Sequence, residues 1–179
     1  MNIWITSDHH FGHDSMYKFT NKDGKRIRPW AQTAEEGDEL MIESWNKVVG
    51  QHDRVYHLGD IAIKRKALQH IKRLKGKIVL IRGNHDIFKL NDYVGLVSDI
   101  RGSHKVDKFI LSHYPIHRGS IPRWCSGNLH GHTHHQYVQR KHLFGWKDDP
   151  LYSNMCIEHT GLAPVPYETI LHFAGKLWR

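Results

Sequence analysis

The sequence predicts one α/β domain organised around buried strands, and three observations carry that expectation. Short apolar runs recur along the chain, many are followed at once by a polar cluster, and stretches with helical spacing separate the first three of them. Continuous apolar runs of strand length, bounded by turn residues, are the pattern of strands buried on both faces.

The elements follow in order. IWIT (3–6) leads into SDHH, VYHL (55–58) into GD, KIVLI (77–81) into RGNHD, FILS (109–112) into HYP, and NLH (128–130) into GHTHH. Each run therefore delivers a polar loop from its C-terminal end to one edge of a sheet. A further strand is predicted at 152–158, YSNMCIE. Between the first two runs, TAEEGDELMIESWNKVV reads as a helix with Leu40, Ile42, Trp45, Val48 and Val49 at helical spacing, and Thr33 followed by Glu36 fits a capping box at its start. Residues 64–75 form a second helix candidate, with Ala67, Leu68, Ile71 and Leu74 on one face and Gly76 as its stop. The later half is richer in strand and turn signals, and APVPYETILHF closes it with a short helix.

Bulk properties narrow the class. At 179 residues, 39% hydrophobic and 25% charged, residues 1–179 suit one soluble domain. No run approaches the roughly 18 apolar residues of a membrane span, and MNIWITSDHH lacks a basic leader and cleavage site, so a cytoplasmic protein with no membrane partner is expected. Lysine plus arginine number 26 against 18 acidic residues, a balance of +8 that favours anionic partners such as phosphates or nucleic acid. Cys125 and Cys156 form no CxxC pair, which excludes a disulfide framework and a zinc-finger module. The absence of GxxxxGK[ST] disfavours a P-loop nucleotidase. Trp4, Trp124, Trp146 and Trp178 are candidates for partner contact, with core or pocket placement the simpler expectation; the oligomeric state is not legible.

Five clusters carry metal-ligand residue types, each just after an apolar run: Asp8-His9-His10, Gly59-Asp60, Gly83-Asn84-His85-Asp86, His113 in SHYP, and Gly131-His132-Thr133-His134. Carboxylate, imidazole and amide oxygen together suit borderline first-row cations, whereas calcium prefers all-oxygen sites and structural zinc prefers cysteine. So many donors exceed one tetrahedral site and suffice for two metals sharing a bridge. In NLHGHTHHQ, alternate residues of an extended backbone share a face, so His132 and His134 can each reach a metal. His130 and His135 are then left as core or surface histidines, His9 as a neighbour of the site and His57 as a satisfied strand residue.

DxH, GD, GNHD, the histidine of SHYP and GHTH, in that order over positions 8–134, resemble the signature of the calcineurin-like metallophosphoesterase superfamily. SDHHFGH, ESWNKVV, YHLGD, LIRGNHD and NMCIEHT resemble its small bacterial and phage predicted phosphoesterases. The resemblance implies a β-sandwich flanked by helices in four layers, α/β/β/α. It also implies one metal on Asp8, His10 and His134, a second on Asn84, His113 and His132, and Asp60 as their bridge. His85 would be no ligand but would face the scissile phosphate as the catalytic residue.

Two divalent ions are thus expected, Mn²⁺ first and Fe, Ni, Zn, Co or Mg as alternatives. Cations about 4 Å apart can share a hydroxide, orient a phosphate and stabilise charge during in-line displacement. The expected activity is hydrolysis of phosphomonoesters or phosphodiesters of a small molecule or nucleotide. The competing readings are a nuclease acting on DNA or RNA and a non-catalytic metal-binding scaffold. Arg82 and Arg118 are the arginines nearest the ligands in sequence and candidate phosphate clamps, and His13 can return to the phosphate pocket. The basic segment Lys18 to Trp30 is a candidate lid or polynucleotide track, with an ordinary solvated loop as the competing reading.

Overall fold

A computed structural model describes the backbone of residues 1–177 and the side chains of residues 1–172; Trp178 lies outside the described residues. In chain order the strands are β1 (Ile3–Thr6), β2 (Arg54–His57), β3 (Lys77–Ile81), β4 (Asp99–Arg101), β5 (Ser103–Val106), β6 (Phe109–Ser112), β7 (Gly127–His130), β8 (Gln139–His142), β9 (Gly145–Asp148), β10 (Tyr152–Asn154) and β11 (Val165–Pro166). The α-helices are α1 (Ala34–Val48), α2 (Leu90–Tyr93), α3 (Ile157–Thr160) and α4 (Tyr167–Leu177). One sheet has the order β11-β1-β2-β3-β4 and a second the order β10-β7-β6-β5, while β8 and β9 form a separate hairpin. The protein is therefore an α/β fold, as its apolar runs predict.

The two-residue period of the strands explains why those runs are continuous. Ile5, Tyr56, Val79 and Ile81 point toward Val106, Phe109, Leu111 and Leu129 of the second sheet. Their neighbours Val55, Ile78 and Leu80 point the other way, onto Met41, Ile42 and Trp45 of α1. Each strand of the first sheet thus feeds two cores at once.

α1 starts where predicted. The Thr33 side chain accepts from Glu36 N at 3.2 Å, but the Glu36 carboxylate reaches Gln32 N rather than the cap's own N–H. The second helix candidate is instead a run of 3₁₀ turns, Arg65–Arg73. Leu68, Ile71 and Leu74 are all buried, and their spacing of three residues matches the 3₁₀ period rather than the α period. The strand expected over 152–158 stops at Asn154. Cys156 makes one bridge to Ser7, and α3 then begins at Ile157.

Strands β1, β2 and β3 are parallel, as are β6, β7 and β10. Their C-terminal ends carry the loops 7–13, 58–64, 82–89, 113–126 and 131–138, and the Ser7–Cys156 bridge ties the end of β1 to the segment after β10. Among the described residues, no helix is long and apolar enough to cross a membrane.

Candidate metal centre

The loops converge because their backbones approach more closely than any side chain would permit. A Cβ on Gly131 would sit 2.1 Å from Ser7 Oγ and 2.2 Å from Asp8 Oδ2, and one on Gly83 would sit 2.3 Å from Asp60 Oδ1. Asp8, His10, Asp60, His132 and His134 all adopt left-handed backbone conformations, with φ between 47° and 69°. Such a conformation turns the side chain back toward the sheet edge and disfavours non-glycine residues.

Asp8 is fully buried and held by one oxygen. Its Oδ2 accepts from Ser7 Oγ (2.5 Å), His132 N (2.9 Å) and Cys156 Sγ (3.2 Å), while Oδ1 is buried with no hydrogen-bond partner. The bare oxygen faces His10 Nε2 at 3.5 Å and His134 Nε2 at 3.9 Å. Burial pushes the Asp8 carboxyl up, but the neighbouring imidazoles, His10 first and then His113 and His134, outweigh it, and the net direction is down. Burial in turn holds His10 down at about 4, and neither of its nitrogens has a hydrogen-bond partner.

Asp60 lies between two groups of donors. Its Oδ2 is 3.6 Å from His10 Nε2 and 3.4 Å from His113 Nε2. Its Oδ1 accepts from His85 N at 2.7 Å. Burial raises the Asp60 carboxyl to about 6. On the far side, Asn84 Oδ1 is 2.8 Å from His113 Nε2 and 3.0 Å from His132 Nδ1. His113 Nδ1 is 2.8 Å from Leu58 O and donates to it, which leaves the Nε2 lone pair facing the cluster.

The seven expected ligands therefore gather into one constellation, with His85 exposed at its mouth, 5.4 Å ring to ring from His10. Asp8, His134 and Cys156 have donor atoms within 4.8 Å of one another, as do Asp8, Asp60 and His113, which is close enough for each group to hold an ion. His13 lines the same cleft, with its ring 5.8 Å from that of His10. The two arginines are placed differently. Arg82 donates to Asp86 O and Phe88 O and braces its own loop, and Arg118 pairs with Asp149. Neither lines the cleft.

Of the remaining histidines, His130 is buried with Nδ1 2.8 Å from Gly131 O, and His9 and His57 are buried 3.0 Å apart. Three residues have supporting roles that sequence reasoning does not assign. Asp86 accepts from the backbone N–H groups of Asp60, Gly83 and Ile61, locking the second and third loops together. Arg28 is fully buried and donates to Asp8 O, His9 O and Glu158 Oε1, so the basic 18–30 segment is not simply a solvated loop. Glu158 contacts His134 Nδ1 at 3.2 Å. Burial pushes Glu158 up, but the Arg28 charge and His134 bring it down to about 2. The Glu158 of NMCIEHT is the only sequence signal for that pair.

Fold and site together define a class: a small α/β protein that collects carboxylates, imidazoles and an amide at the ends of parallel strands. The chain belongs to the family of the uncharacterized protein MJ1445 of Methanocaldococcus jannaschii, with which it is 30% identical over 184 residues spanning 97% of this chain and 92% of that one. It is 29% identical to the Gene 66 protein of Mycobacterium phage L5, over 79% of this chain and 82% of the phage protein. The solved structure of the protein of unknown function AQ665 from Aquifex aeolicus shares the fold, at a TM-score of 0.67 and 21% identity over 96% of this chain and 98% of that one. No family model matches the chain.

Proposed function

We propose that the protein is a dinuclear metal-dependent phosphoesterase of the calcineurin-like kind, hydrolysing phosphomonoesters or phosphodiesters of a small molecule or nucleotide. The observation that carries this reading is the place of Asp60 Oδ2, 3.6 Å from His10 Nε2 on one side and 3.4 Å from His113 Nε2 on the other. One carboxylate there serves two donor groups.

The residues fit such ions. Asp8 Oδ1 and both His10 nitrogens are buried without partners, a costly arrangement unless a cation meets them. Asp8, His10 and His134 would hold one ion, Asn84, His113 and His132 the other, and Asp60 both. The oxygen and imidazole donors suit a borderline divalent cation, with Mn²⁺ the first choice. When bound, the ions supply positive charge that polarises a phosphoester and makes water easier to deprotonate.

The chain's own residues do the rest. Ser7, Cys156 and His132 N fix Asp8 so that only its second oxygen is available. Glu158 orients the His134 ring, as an outer carboxylate orients a ligating imidazole. His85, placed by its backbone bond to Asp60, donates a proton to the leaving alkoxide from the mouth of the site.

A second reading, a nuclease, is favoured by one feature. The β8–β9 hairpin projects with Phe144 88% and Trp146 67% exposed, beside the exposed Arg140, Lys141 and Lys147. Basic and stacking side chains together bind single strands.

The test is hydrolysis of p-nitrophenyl phosphate and bis-p-nitrophenyl phosphate by chelated protein with Mn²⁺, Ni²⁺, Zn²⁺ or Mg²⁺ restored singly. Metal-rescued turnover supports the phosphoesterase. Turnover of polynucleotide alone, with affinity that falls steeply with salt, selects the nuclease. Bound metal with no turnover of any of these leaves the scaffold.

A further inference from the structure

The cleft of about 350 Å³ in front of the site has a mixed lining. His10, His13, His85, His132 and His134 supply imidazoles, and Met16, Phe19 and Ile27 supply an apolar wall. A pocket built only for phosphate has no use for that apolar share, since apolar surface offers a phosphate neither charge nor hydrogen bonds.

The apolar wall is a built element. Ile27 N donates to Phe19 O at 2.9 Å, and Thr20 bridges Arg26, so Phe19 and Ile27 sit side by side on a small irregular hairpin. Its turn is closed by Asn21 Oδ1, which accepts from Asp23 N and Lys25 N, with Gly24 at φ 74°. The residue after Ile27 is Arg28, whose buried guanidinium grips the backbone oxygens of Asp8 and His9. The wall is thereby referenced directly to the first ligand loop.

Phe19 is 47% exposed and lines the cleft, so much of its ring faces the opening rather than the core. Rings run outward from the site in series: His134 to His10 at 5.1 Å, His10 to His13 at 5.8 Å, and His13 to Phe19 at 5.8 Å, the last two edge to face. Among the described residues the series ends at Phe19.

We propose that Phe19 and Ile27 form a stacking platform for the organic half of the substrate, which is therefore a phosphoester bearing a planar ring of the nucleobase class. The proposal rests on the phosphoesterase reading and names its substrate class. The cleft volume lies within the range of small-ligand sites. Lys18, Lys22 and Lys25, exposed around the hairpin, lie where they attract an anionic ester without entering the apolar wall.

Two measurements test it. The first, saturation-transfer NMR of adenosine with chelated protein, needs neither metal nor turnover. The base protons receive saturation from wild type and from Phe19→Trp but not from Phe19→Ala; equal transfer to Phe19→Ala, or none to wild type, overturns the platform. The second compares Mn²⁺-loaded enzymes on a ring-bearing and a ringless diester, ApA and glycerophosphocholine, followed by ³¹P NMR. Phe19→Ala raises KM for ApA by about fivefold or more, the low end for loss of one stacked base, and leaves the ringless ester unchanged. Hydrolysis of both esters with equal effects of the substitution overturns the platform and keeps the phosphoesterase. Ring saturation without hydrolysis of either diester or of either p-nitrophenyl ester keeps the platform as a nucleoside site and overturns the phosphoesterase.

Discussion

Glu158 stands 3.2 Å from His134 Nδ1 and 2.8 Å from Arg28 Nε, and all of this lies behind the ligand loops with Arg28 and Glu158 almost wholly buried. One carboxylate thus fixes the tautomer of a site histidine and neutralises the guanidinium that holds the Asp8 loop. Breaking a buried pair by removing one partner typically costs about 3–5 kcal/mol, and losing the outer partner of a ligating histidine typically lowers metal affinity about 10–100-fold. Glu158→Gln is expected to do both, measured by denaturant unfolding of the chelated protein and by Mn²⁺ calorimetry. An unchanged affinity would remove Glu158 from the site.

His85 and Asp60 separate chemistry from assembly. His85→Ala is expected to keep both ions by elemental analysis and to lose turnover by about 10²–10⁴-fold, the usual range for a positioned proton donor. Asp60→Ala loses metal as well as activity. Full activity in both variants contradicts the assignment.

Gly131 tests the closeness of the loops. Gly131→Ala drives a methyl group into Ser7 Oγ and Asp8 Oδ2, both under 2.3 Å from the added carbon. Overpacking of this kind costs about 1–3 kcal/mol. A lower melting temperature and weaker Mn²⁺ binding are expected together, since the displaced carboxylate is Asp8.

Asp38 lies away from the ligands and sets a pH dependence of its own. Its Oδ2 accepts from Gly12 N at 2.9 Å, yet burial pushes the carboxyl up to about 7. The folded protein therefore binds this proton more tightly than the unfolded chain, with its ordinary value of 3.8. The contribution to stability is fully present below that value and is lost as pH rises through about 7. His70, 3.4 Å away, is held below its ordinary value by burial and offsets little of this. Asp38→Asn keeps the acceptor for Gly12 and is expected to melt about 2–4 °C above wild type at pH 8, with the gap clearly narrower at pH 5. Thermal scans at the two values check the sign.

What was legible in the chain follows from which signals are local. β1, β2, β3, β6 and β7 announce themselves as apolar runs because both of their faces are buried, and the ligand loops follow them directly. The 3₁₀ run at 65–73 was also written in the spacing of Leu68, Ile71 and Leu74, but an apolar face alone does not tell a helix of one period from another. The β8–β9 hairpin has no buried face at all, so its strands lack the alternation that marks a strand. Arg28 and Glu158 meet across 130 positions, and Cys156 reaches Asp8 across 148. Pairings of that kind depend on the folded loops and leave no periodic trace.

The five left-handed residues that aim the site, Asp8, His10, Asp60, His132 and His134, set the backbone against the donors it carries. Each occupies a conformation in which glycine would be more comfortable by roughly 1 kcal/mol. Glycine at these places would relax the strand ends and leave them blank, so the same five positions that hold the donors together are where this fold is least at ease.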